Sequence, residues 1–318
     1  MQWQNQNNKL VKTFVFSNNQ EALDFVAACK PSILALGHDP DWSLKSNKIN
    51  VLLTTHDAGD IVTEKDWQLA KLLDSKFYST KFSDLKVLSI TDPKAHVIWQ
   101  KLFERQFKSL KGKVHPWFWE GLKLLNINPN KLPNLEELDE RLFTVAKWKT
   151  EVTNIQYAED APWFHFLSQR RIMRTNYIRT MKELDFIPLP DIFHDIFGHL
   201  PMLVNPEIKE LAQKFGQVFM KCKEEGQQFM AERLWWNSME FGFIKEGGKN
   251  LVIGAGLISS FGELNNAGSQ NVKKINFDVS LFPKLDRSPH SLHHSYLIFS
   301  SFDQISKALD WILKHPNN

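Results

Sequence analysis

Two histidines five residues apart place the tightest constraint on how this chain can fold. His194 and His199 lie in the largely apolar segment PDIFHDIFGHLP, residues 190–201. On a regular α-helix, side chains four positions apart lie about 40° apart around the axis, whereas side chains five positions apart lie about 140° apart. The two imidazoles can therefore bind one metal ion only if the helix widens or ends between them. Gly198 and Pro201 provide the freedom for either a π-helical turn or a terminated turn.

A carboxylate in another apolar helical segment is the leading candidate for a third metal ligand. Glu240 lies in LWWNSMEFG, residues 234–242, where an unpaired charge would be costly to bury. Two histidines and one carboxylate leave one face of an octahedron open, which is typical of non-haem Fe(II) that activates O2. Each histidine could instead cap or pack within a helical core. A zinc hydrolase is disfavoured, because no glutamate follows His194 in the HExxH register.

Apolar periodicity predicts a small N-terminal α+β domain and a longer, mainly helical domain with minor β structure. The N-terminal part alternates strand-length runs with helical spacing in four segments: 9–16, 18–30, 49–55 and 63–75. Asp92-Pro93 is a typical helix start, so we place the boundary there and predict domains 1–93 and 94–318. Helical spacing then recurs in later segments: 93–112, 115–126, 134–147, 162–173, 206–225 and 228–245.

Composition narrows the classes of partner and compartment. The chain has 39 basic and 36 acidic residues, a net charge of +3, and no long basic run, which argues against nucleic acid as a partner. Cys29 and Cys222 are too few and too far apart for a disulfide framework, which indicates a reducing compartment. The polar N-terminus and the lack of a long apolar run predict no signal peptide and no membrane partner, hence a cytoplasmic protein.

Three motifs together resemble, in order and spacing, the pterin-dependent aromatic amino acid hydroxylases, particularly bacterial phenylalanine 4-monooxygenases. The motifs are FHDIFGHLP at 193–201, WNSMEFG at 236–242 and GAGLISSFGE at 254–263. The resemblance covers about 94–310 and implies the mainly helical hydroxylase catalytic domain. It further implies that three residues bind iron: His194, His199 and Glu240. The implied cofactors are Fe(II), O2 and a tetrahydropterin, either tetrahydrobiopterin or a bacterial analogue.

The same resemblance assigns residues to the amino acid substrate. Arg179 matches the arginine that binds the substrate carboxylate, for which a guanidinium is geometrically suited. Trp236 matches a residue that lines the substrate pocket, and Ser259 matches one that supports the site by orienting a metal ligand. Phenylalanine is the expected substrate, but Trp or Tyr stays open because Ile187 and Met239 also shape the pocket volume.

Other positions match the pterin site of the hydroxylases. Either Trp163 or the adjacent Phe164 falls where the family places an aromatic ring that stacks on the pterin, and Asp195 matches an acidic residue near it. One position departs from the pattern. Relatives usually carry Glu between the two prolines where this chain has Leu189, so a possible ion pair is missing.

Residues 9–76 resemble pterin-4a-carbinolamine dehydratase, which removes water from the hydroxylated pterin by acid–base chemistry. His38 and His56 match two of the three histidines of that family, and Asp39 stands in place of the other. An ionised carboxylate at Asp39 can accept a proton but cannot donate one as an imidazolium can. Leu34 also replaces a polar residue of the family pattern. The domain is therefore expected to be either a dehydratase or a non-catalytic module for pterin binding or dimerisation.

The two resemblances are chemically compatible. Hydroxylation of an aromatic amino acid with a tetrahydropterin leaves a 4a-hydroxypterin, which is the substrate of the dehydratase. A second active site on the same chain would raise the local concentration of this unstable product. The expected partners are an aromatic amino acid and a reduced pterin, with a homo-oligomer formed through the N-terminal domain.

Overall fold

The computed structural model describes residues 3–16, 18–81, 86–153, 160–284 and 292–315. It contains two compact units, one formed by Met1–Leu85 with Glu224–Gly226 and the other by Lys86–Lys223 with Gln227–Asn318. Each unit has its own hydrophobic core.

The N-terminal unit is a four-stranded antiparallel sheet with two helices. Its elements are β1 (Gln4–Gln6), β2 (Lys9–Val15), α1 (Asn19–Leu36), β3 (Asp41–Lys45), β4 (Lys48–Leu53), a 3-10 turn (His56–Ala58) and α2 (Glu64–Lys81). The strand order is β1-β2-β4-β3. Alternate residues of β4 are buried, because successive side chains of a strand point to opposite faces. The strands and helices predicted within 9–75 are all present.

The larger unit is mainly helical. Its α-helices are α3 (Pro93–Ser109), α4 (Trp117–Leu124), α5 (Leu135–Ala146), α6 (Asp160–Ser168), α7 (Leu200–Leu203), α8 (Pro206–Lys221), α9 (Glu225–Trp235), α10 (Ala255–Ser259), α11 (Phe261–Gly268) and α12 (Phe302–Lys314). Two π-helical turns (His194–His199 and Trp236–Glu240) and two 3-10 turns (Met181–Glu183 and Val279–Lys284) accompany them. The predicted mainly α architecture of this region is confirmed.

Short strands complete the larger unit. They are β5 (Val87–Ser89), β6 (Lys149–Thr153), β7 (Arg171–Thr175), β8 (Tyr177–Arg179), β9 (Phe243–Glu246), β10 (Lys249–Val252), β11 (Lys273–Asn276) and β12 (Ser295–Phe299). One sheet has the order β10-β9-β12-β11, and two-stranded sheets join β5 to β8 and β6 to β7.

The segment between the two units differs from its sequence-based interpretation. Asp92 caps α3 by accepting a hydrogen bond from the Lys94 N–H, with Pro93 in the first turn, as expected for this dipeptide. However, β5 precedes that helix and pairs with β8 inside the larger unit. The contacts therefore divide the chain between residues 85 and 86, whereas the sequence placed the domain boundary at 93/94.

Two predicted helices end earlier than expected. The segment 162–173 is helical only to the end of α6, because Arg170 adopts a left-handed φ of 58° and β7 then pairs in parallel with β6. The segment 228–245 changes at Trp236 from α-helix to a π-helical turn, and β9 begins at Phe243. Pairing with a strand distant in sequence decides such endings, and local periodicity does not reveal it.

An aromatic layer supports the first π-helical turn. Phe193 and Phe197 stack with ring centroids 4.7 Å apart. Trp99 of α3 contacts Phe193 at 5.3 Å, and Phe118 of α4 contacts Phe197 at 5.2 Å, both edge to face. These rings are fully buried, and losing one to alanine would cost about 3–5 kcal/mol. The layer therefore fixes the turn on which the two histidines lie.

Candidate metal centre and adjoining pocket

The π-helical turn His194–His199 brings the two histidines together. In such a turn the hydrogen bonds join residues five apart, so residues at this spacing lie on one side. The Nε2 atoms of His194 and His199 are 3.2 Å apart. This confirms the widened helix among the two geometries that the spacing allowed. Gly198 is required for space, since a Cβ there would lie 2.8 Å from the carbonyl oxygen of Ala255.

Glu240 completes a group of three candidate ligands. It ends the second π-helical turn, and its Oε1 and Oε2 lie 3.1 Å from His199 Nε2 and 3.5 Å from His194 Nε2. Atoms about 2.1 Å from a common centre lie about 3.0 Å apart at a 90° angle and about 3.4 Å apart at a tetrahedral angle. The separations of 3.1 and 3.2 Å fall in that range, and the 3.5 Å from His194 to the other oxygen of Glu240 is slightly longer, so the donor set fits a divalent metal bound through one face.

The protonation states suit metal binding. Burial would raise the pKa of Glu240, but the neighbouring His199 and His194 and the Trp235 N–H lower it to about 2. Burial also lowers the pKa of His194 to about 4. Glu240 is therefore ionised and His194 neutral near pH 7, which are the forms that bind a metal. Burial would lower the pKa of His199, but Glu240 and Asp195 raise it, so His199 must lose a proton that is held more tightly than usual when a metal binds.

Side chains outside the metal face hold the ligands in place. The Nδ1 atom of His194 lies 2.8 Å from Ser259 Oγ, which leaves Nε2 for the metal when Nδ1–H donates. The indole N–H of Trp235 donates to Glu240 Oε1 at 3.0 Å. Asp191 caps the helical segment by accepting from the His194 backbone N–H at 3.1 Å. Only Ser259 was anticipated from the sequence.

Arg179 is buried beside this centre and is bound by a carboxylate of the chain itself. Its Nε and Nη2 donate to the two carboxylate oxygens of Asp191, each at 2.8 Å. Arg179 in turn lowers the pKa of Asp191 against the effect of burial. Among the described residues Arg179 Nη1 has no hydrogen-bond partner, although it is buried. Asp191 thus uses two of the three guanidinium nitrogens of Arg179, and Nη1 is the nitrogen left for a ligand.

One pocket connects the predicted residues of the larger unit. His194 and Glu240 line it, but His199 does not. The other predicted residues on its wall are Trp163, Phe164, Arg179, Asp195, Trp236 and Ser259. The sequence therefore identified residues that the fold brings together from α6, β8, both π-helical turns and α10.

The two candidate stacking rings differ in their surroundings. Phe164 is 1% exposed and stacks on Phe219 with centroids 4.4 Å apart, so one face is covered by the core. Trp163 is half-buried and packs edge to face against Trp235 at 5.9 Å. Trp163 is therefore the ring with more surface available to a ligand.

Asp195, next to His194 in the first π-helical turn, is held by Thr175 of β7. Its carboxylate accepts from the Thr175 backbone N–H at 2.7 Å and from the Thr175 hydroxyl at 2.8 Å. Burial raises the pKa of Asp195 to about 7, although the bonds from Thr175 oppose the shift. The carboxyl group lies on the pocket wall beside Arg174 and Thr175.

A buried polar network behind the pocket was not anticipated. Glu263 accepts hydrogen bonds from the Tyr296 hydroxyl and the His293 backbone N–H, and it lies 2.9 Å from His293 Nδ1. The sequence offered a misleading signal, because Ser260 and Glu263 have the spacing of a capping box. Ser260 Oγ does accept from the Glu263 N–H, but the carboxylate of Glu263 binds His293 and Tyr296.

The predicted residues of the N-terminal unit are held separately. His38 Nε2 lies 2.8 Å from Asp66 Oδ1, and Asp66 is fully buried. His56 is 63% exposed and its Nδ1 lies 2.5 Å from Asp60 Oδ1. Asp39 is exposed between α1 and β3, and Leu34 is exposed on α1.

Asp66 was missed in the sequence, although a signal for it was present. It is the third residue of α2 and accepts from the Thr63 backbone N–H at 2.7 Å. It also accepts from the Thr55 hydroxyl at 2.8 Å. Thr63 followed three positions later by an acidic residue is a helix-start pattern. The same carboxylate therefore orders the start of α2 and holds His38.

No described helix combines the length and apolar character needed to cross a bilayer. Cys29 and Cys222 are both free and buried.

Comparisons with known proteins divide the chain in a similar way. The family described as "Biopterin-dependent aromatic amino acid hydroxylase" matches residues 91–315. The family described as "Pterin 4 alpha carbinolamine dehydratase" matches residues 1–76.

Individual relatives are similar to about two thirds of this chain. A phenylalanine-4-hydroxylase of Chromobacterium violaceum is 30% identical over 214 residues, which is 67% of this chain and 72% of that protein. A phenylalanine-4-hydroxylase of Ralstonia nicotianae is 32% identical over 214 residues, 67% of this chain and 68% of that protein. The crystal structure of the Chromobacterium violaceum enzyme with bound iron(III) and 7,8-dihydrobiopterin matches with a TM-score of 0.66 and 30% identity, covering 70% of this chain and 81% of that one.

Proposed function

Because the chain belongs to the biopterin-dependent aromatic amino acid hydroxylases, we propose that it hydroxylates phenylalanine to tyrosine and that its N-terminal domain dehydrates the 4a-hydroxypterin product. The enzyme is a monooxygenase of the phenylalanine 4-monooxygenase type, and its cofactors are Fe(II), a tetrahydropterin and O2. The observation that carries the hydroxylase proposal is the group formed by two imidazoles and one carboxylate, with contacts of 3.1–3.5 Å, of which His194 and Glu240 line a pocket that also contains Arg179.

The iron site is assigned to His194, His199 and Glu240. Bound there, iron and the reduced pterin supply the activation of O2. The protein's contribution is to fix the three ligands: Ser259 orients His194, and the Trp235 N–H orients Glu240.

The amino acid carboxylate is assigned to Arg179. Nη1 is a buried donor without a partner in the described structure, and a carboxylate is the ligand that would satisfy it with a charge-assisted hydrogen bond. Asp191 holds the other side of the guanidinium, so the position of Nη1 is fixed before substrate arrives.

The pterin is assigned to the part of the pocket lined by Trp163 and Asp195. A flat ring can stack on Trp163, since Phe164 is already stacked on Phe219. Asp195 offers a carboxyl group that can bond the polar edge of such a ring.

The choice of phenylalanine rests on the named relatives and on an apolar wall. Trp236, Ile187 and Phe241 line the pocket, and Met239 is buried beside it in the same π-helical turn as Glu240. Trp and Tyr are the alternative substrates, and the assay below distinguishes them.

The dehydratase role is assigned to the N-terminal unit, within the residues 1–76 that match the dehydratase family. His38 is a half-buried imidazole oriented by the buried Asp66, which is an arrangement suited to general acid–base chemistry. Asp39 and His56 are the further groups proposed to share the proton transfers. We place the enzyme in the cytoplasm because its two cysteines are free.

The proposal is tested with the full chain, loaded with Fe(II) and supplied with tetrahydrobiopterin and O2. Each aromatic amino acid is offered separately, and products are identified by mass spectrometry while 4a-hydroxypterin decay is followed by absorbance. Tyrosine formed from phenylalanine is the expected product. A ring hydroxylation confined to Trp or Tyr would replace phenylalanine as the substrate, and no hydroxylation of any of the three would contradict the hydroxylase proposal.

A further inference from the structure

We propose that His293 is a positioning residue for the substrate pocket: it holds the Trp236 indole in one orientation and thereby helps to determine which aromatic side chain is accepted. The inference rests on the proposed function, since it assigns Trp236 to the wall that contacts the substrate ring. His293 itself lies behind that wall and is not among the residues that line the pocket.

The hydrogen bonds fix the tautomer of His293. The Trp236 Nε1–H donates to His293 Nε2 at 2.8 Å. An indole nitrogen can only donate, so Nε2 must be the unprotonated, accepting nitrogen. The proton of the neutral ring is therefore on Nδ1, which donates to Glu263 Oε1 at 2.9 Å. Trp236, His293 and Glu263 thus form a directed chain from the pocket wall into the core.

Further contacts hold this chain in place. The Tyr296 hydroxyl donates to Glu263 Oε2, and the His293 backbone N–H donates to Oε1 at 3.2 Å. The Asn266 side-chain amide donates to the His293 carbonyl at 2.7 Å and to the Tyr296 hydroxyl at 2.9 Å. His293, Glu263 and Tyr296 are each less than 5% exposed. A buried network satisfied in this way allows each side chain one orientation.

The wall in front of the network consists of aromatic rings packed in tilted contact. Trp236 and Phe241 both line the pocket, with centroids 4.8 Å apart. His293 packs on Phe241 with centroids 4.1 Å apart. Gly256 leaves room for this arrangement, because a Cβ there would lie 2.4 Å from the Phe241 ring.

The consequence for the pocket is chemical as well as geometric. The Trp236 N–H is engaged by His293, so the indole presents ring carbon to a ligand. Such a wall favours an unsubstituted aromatic ring over one that carries a hydroxyl group needing a partner. Without this acceptor the indole N–H of the half-buried Trp236 would lose its hydrogen bond to His293, and the indole would turn and change the shape of the pocket.

Two amide substitutions at His293 test its two hydrogen bonds separately, the one to Trp236 and the one to Glu263. In H293Q the glutamine Oε1 reaches about as far as Nε2 and can still accept from Trp236. In H293N the shorter amide remains near Nδ1, so it can donate to Glu263 but cannot reach Trp236. Both residues are polar and smaller than or close to histidine in size, so the pair forms its own control.

We expect the amino acid KM to differ between the two variants and the pterin KM to be the same in both. H293N should raise the amino acid KM at least fivefold and lower the preference for phenylalanine over tyrosine, whereas H293Q should restore both to within about twofold of the parent. The pterin KM should be unchanged in both. Equal KM values and equal preferences in the two variants would overturn the proposal.

An activity-independent measurement keeps the proposal separate from the proposed function. With 15N-labelled tryptophan, the Trp236 indole N–H signal is assigned as the one lost in W236F. It should stay close to its parent position in H293Q and move upfield in H293N, because a hydrogen-bonded proton resonates downfield. An unmoved signal in H293N would overturn the proposal even if the enzyme proved to have a different substrate.

Two further comparisons distinguish loss of the Trp236–His293 hydrogen bond from a general loss of structure: a double-mutant cycle with W236F, and the pair H293L and H293Q. In the W236F background, H293N and H293Q should no longer differ in amino acid KM, since the N–H that distinguishes them is absent. A difference that persists there would contradict the proposal. Should H293N fail to fold, H293L fills the volume without an acceptor, and its comparison with H293Q decides the same question.

Discussion

In the larger unit His194 and His199 lie inside the fold on a π-helical turn, whereas in the N-terminal unit His56 lies on a surface turn with 63% of its side chain exposed. Two of the candidate metal ligands are hydrogen-bonded to neutral side chains. His194 is bonded to the Ser259 hydroxyl, and Glu240 accepts a hydrogen bond from the Trp235 indole. His38 resembles them, because the buried Asp66 holds it. His56 instead pairs with the exposed Asp60.

This contrast shows what burial contributes to a site. When one polar atom of a buried side chain is hydrogen-bonded, the orientation of its other polar atom is fixed as well. An exposed ion pair is screened by water and contributes little to orientation. We therefore expect substitutions in the metal centre to have larger effects than those in the N-terminal unit, and His38 to matter more than His56.

The largest effect is expected from removing a metal ligand. Glu240→Ala should lose bound iron and lower hydroxylation by more than the 10- to 100-fold typical of residues that only support ligands. Iron content by elemental analysis and product formation measure the result. His38→Ala serves as the matched control and should keep its iron; stoichiometric iron with normal turnover in Glu240→Ala would remove the assignment.

The next effect compares the two histidines of the N-terminal unit. His38→Ala should slow 4a-hydroxypterin dehydration by about 10²-fold, since general acid–base groups contribute about 10²- to 10⁴-fold. His56→Ala should have a smaller effect, and Asp39→His should raise the rate by adding an imidazole that can donate. The decay is followed by absorbance with the full chain. If all three variants match the parent, the domain is a binding or dimerisation module.

Loss of a supporting residue should weaken the metal site without abolishing it. Ser259→Ala removes the partner of His194 Nδ1, so iron affinity should fall about 10- to 100-fold. Competition with a chelator measures the dissociation constant. Ser260→Ala, one residue along, changes a helix cap and is the control; equal iron affinity in the two variants would show that the bond to His194 does not orient the ligand.

The smallest effect in this series concerns the substrate carboxylate. Arg179→Lys keeps the charge but cannot satisfy Asp191 and a ligand together, so the amino acid KM should rise about tenfold, equivalent to about 1.4 kcal/mol. The pterin KM should stay within about twofold. Steady-state kinetics with each substrate varied separately gives both values, and an unchanged amino acid KM would count against Arg179 as the carboxylate site.

Local patterns in the sequence were reliable where short-range backbone geometry decides the outcome. The spacing of His194 and His199 required an irregular helix, and the structure has a π-helical turn there. Asp92-Pro93 predicted a helix start that is present. Helix ends were less reliable, since β7 terminates the predicted helix at 162–173 by pairing with β6. Hydrogen bonds within a turn depend on neighbouring residues, whereas strand pairing depends on distant ones.

The sequence by itself determined which residues could bind a metal and, through resemblance, which reaction to expect. Only the tertiary structure decided how each of them is held: Ser259 lies 65 positions from His194, and His293 lies 57 positions from Trp236. It also showed that Asp191 occupies two nitrogens of Arg179 and leaves Nη1. The physical reason is that a buried polar atom must find a partner among whatever groups the packed core brings near it, and sequence spacing does not encode that choice.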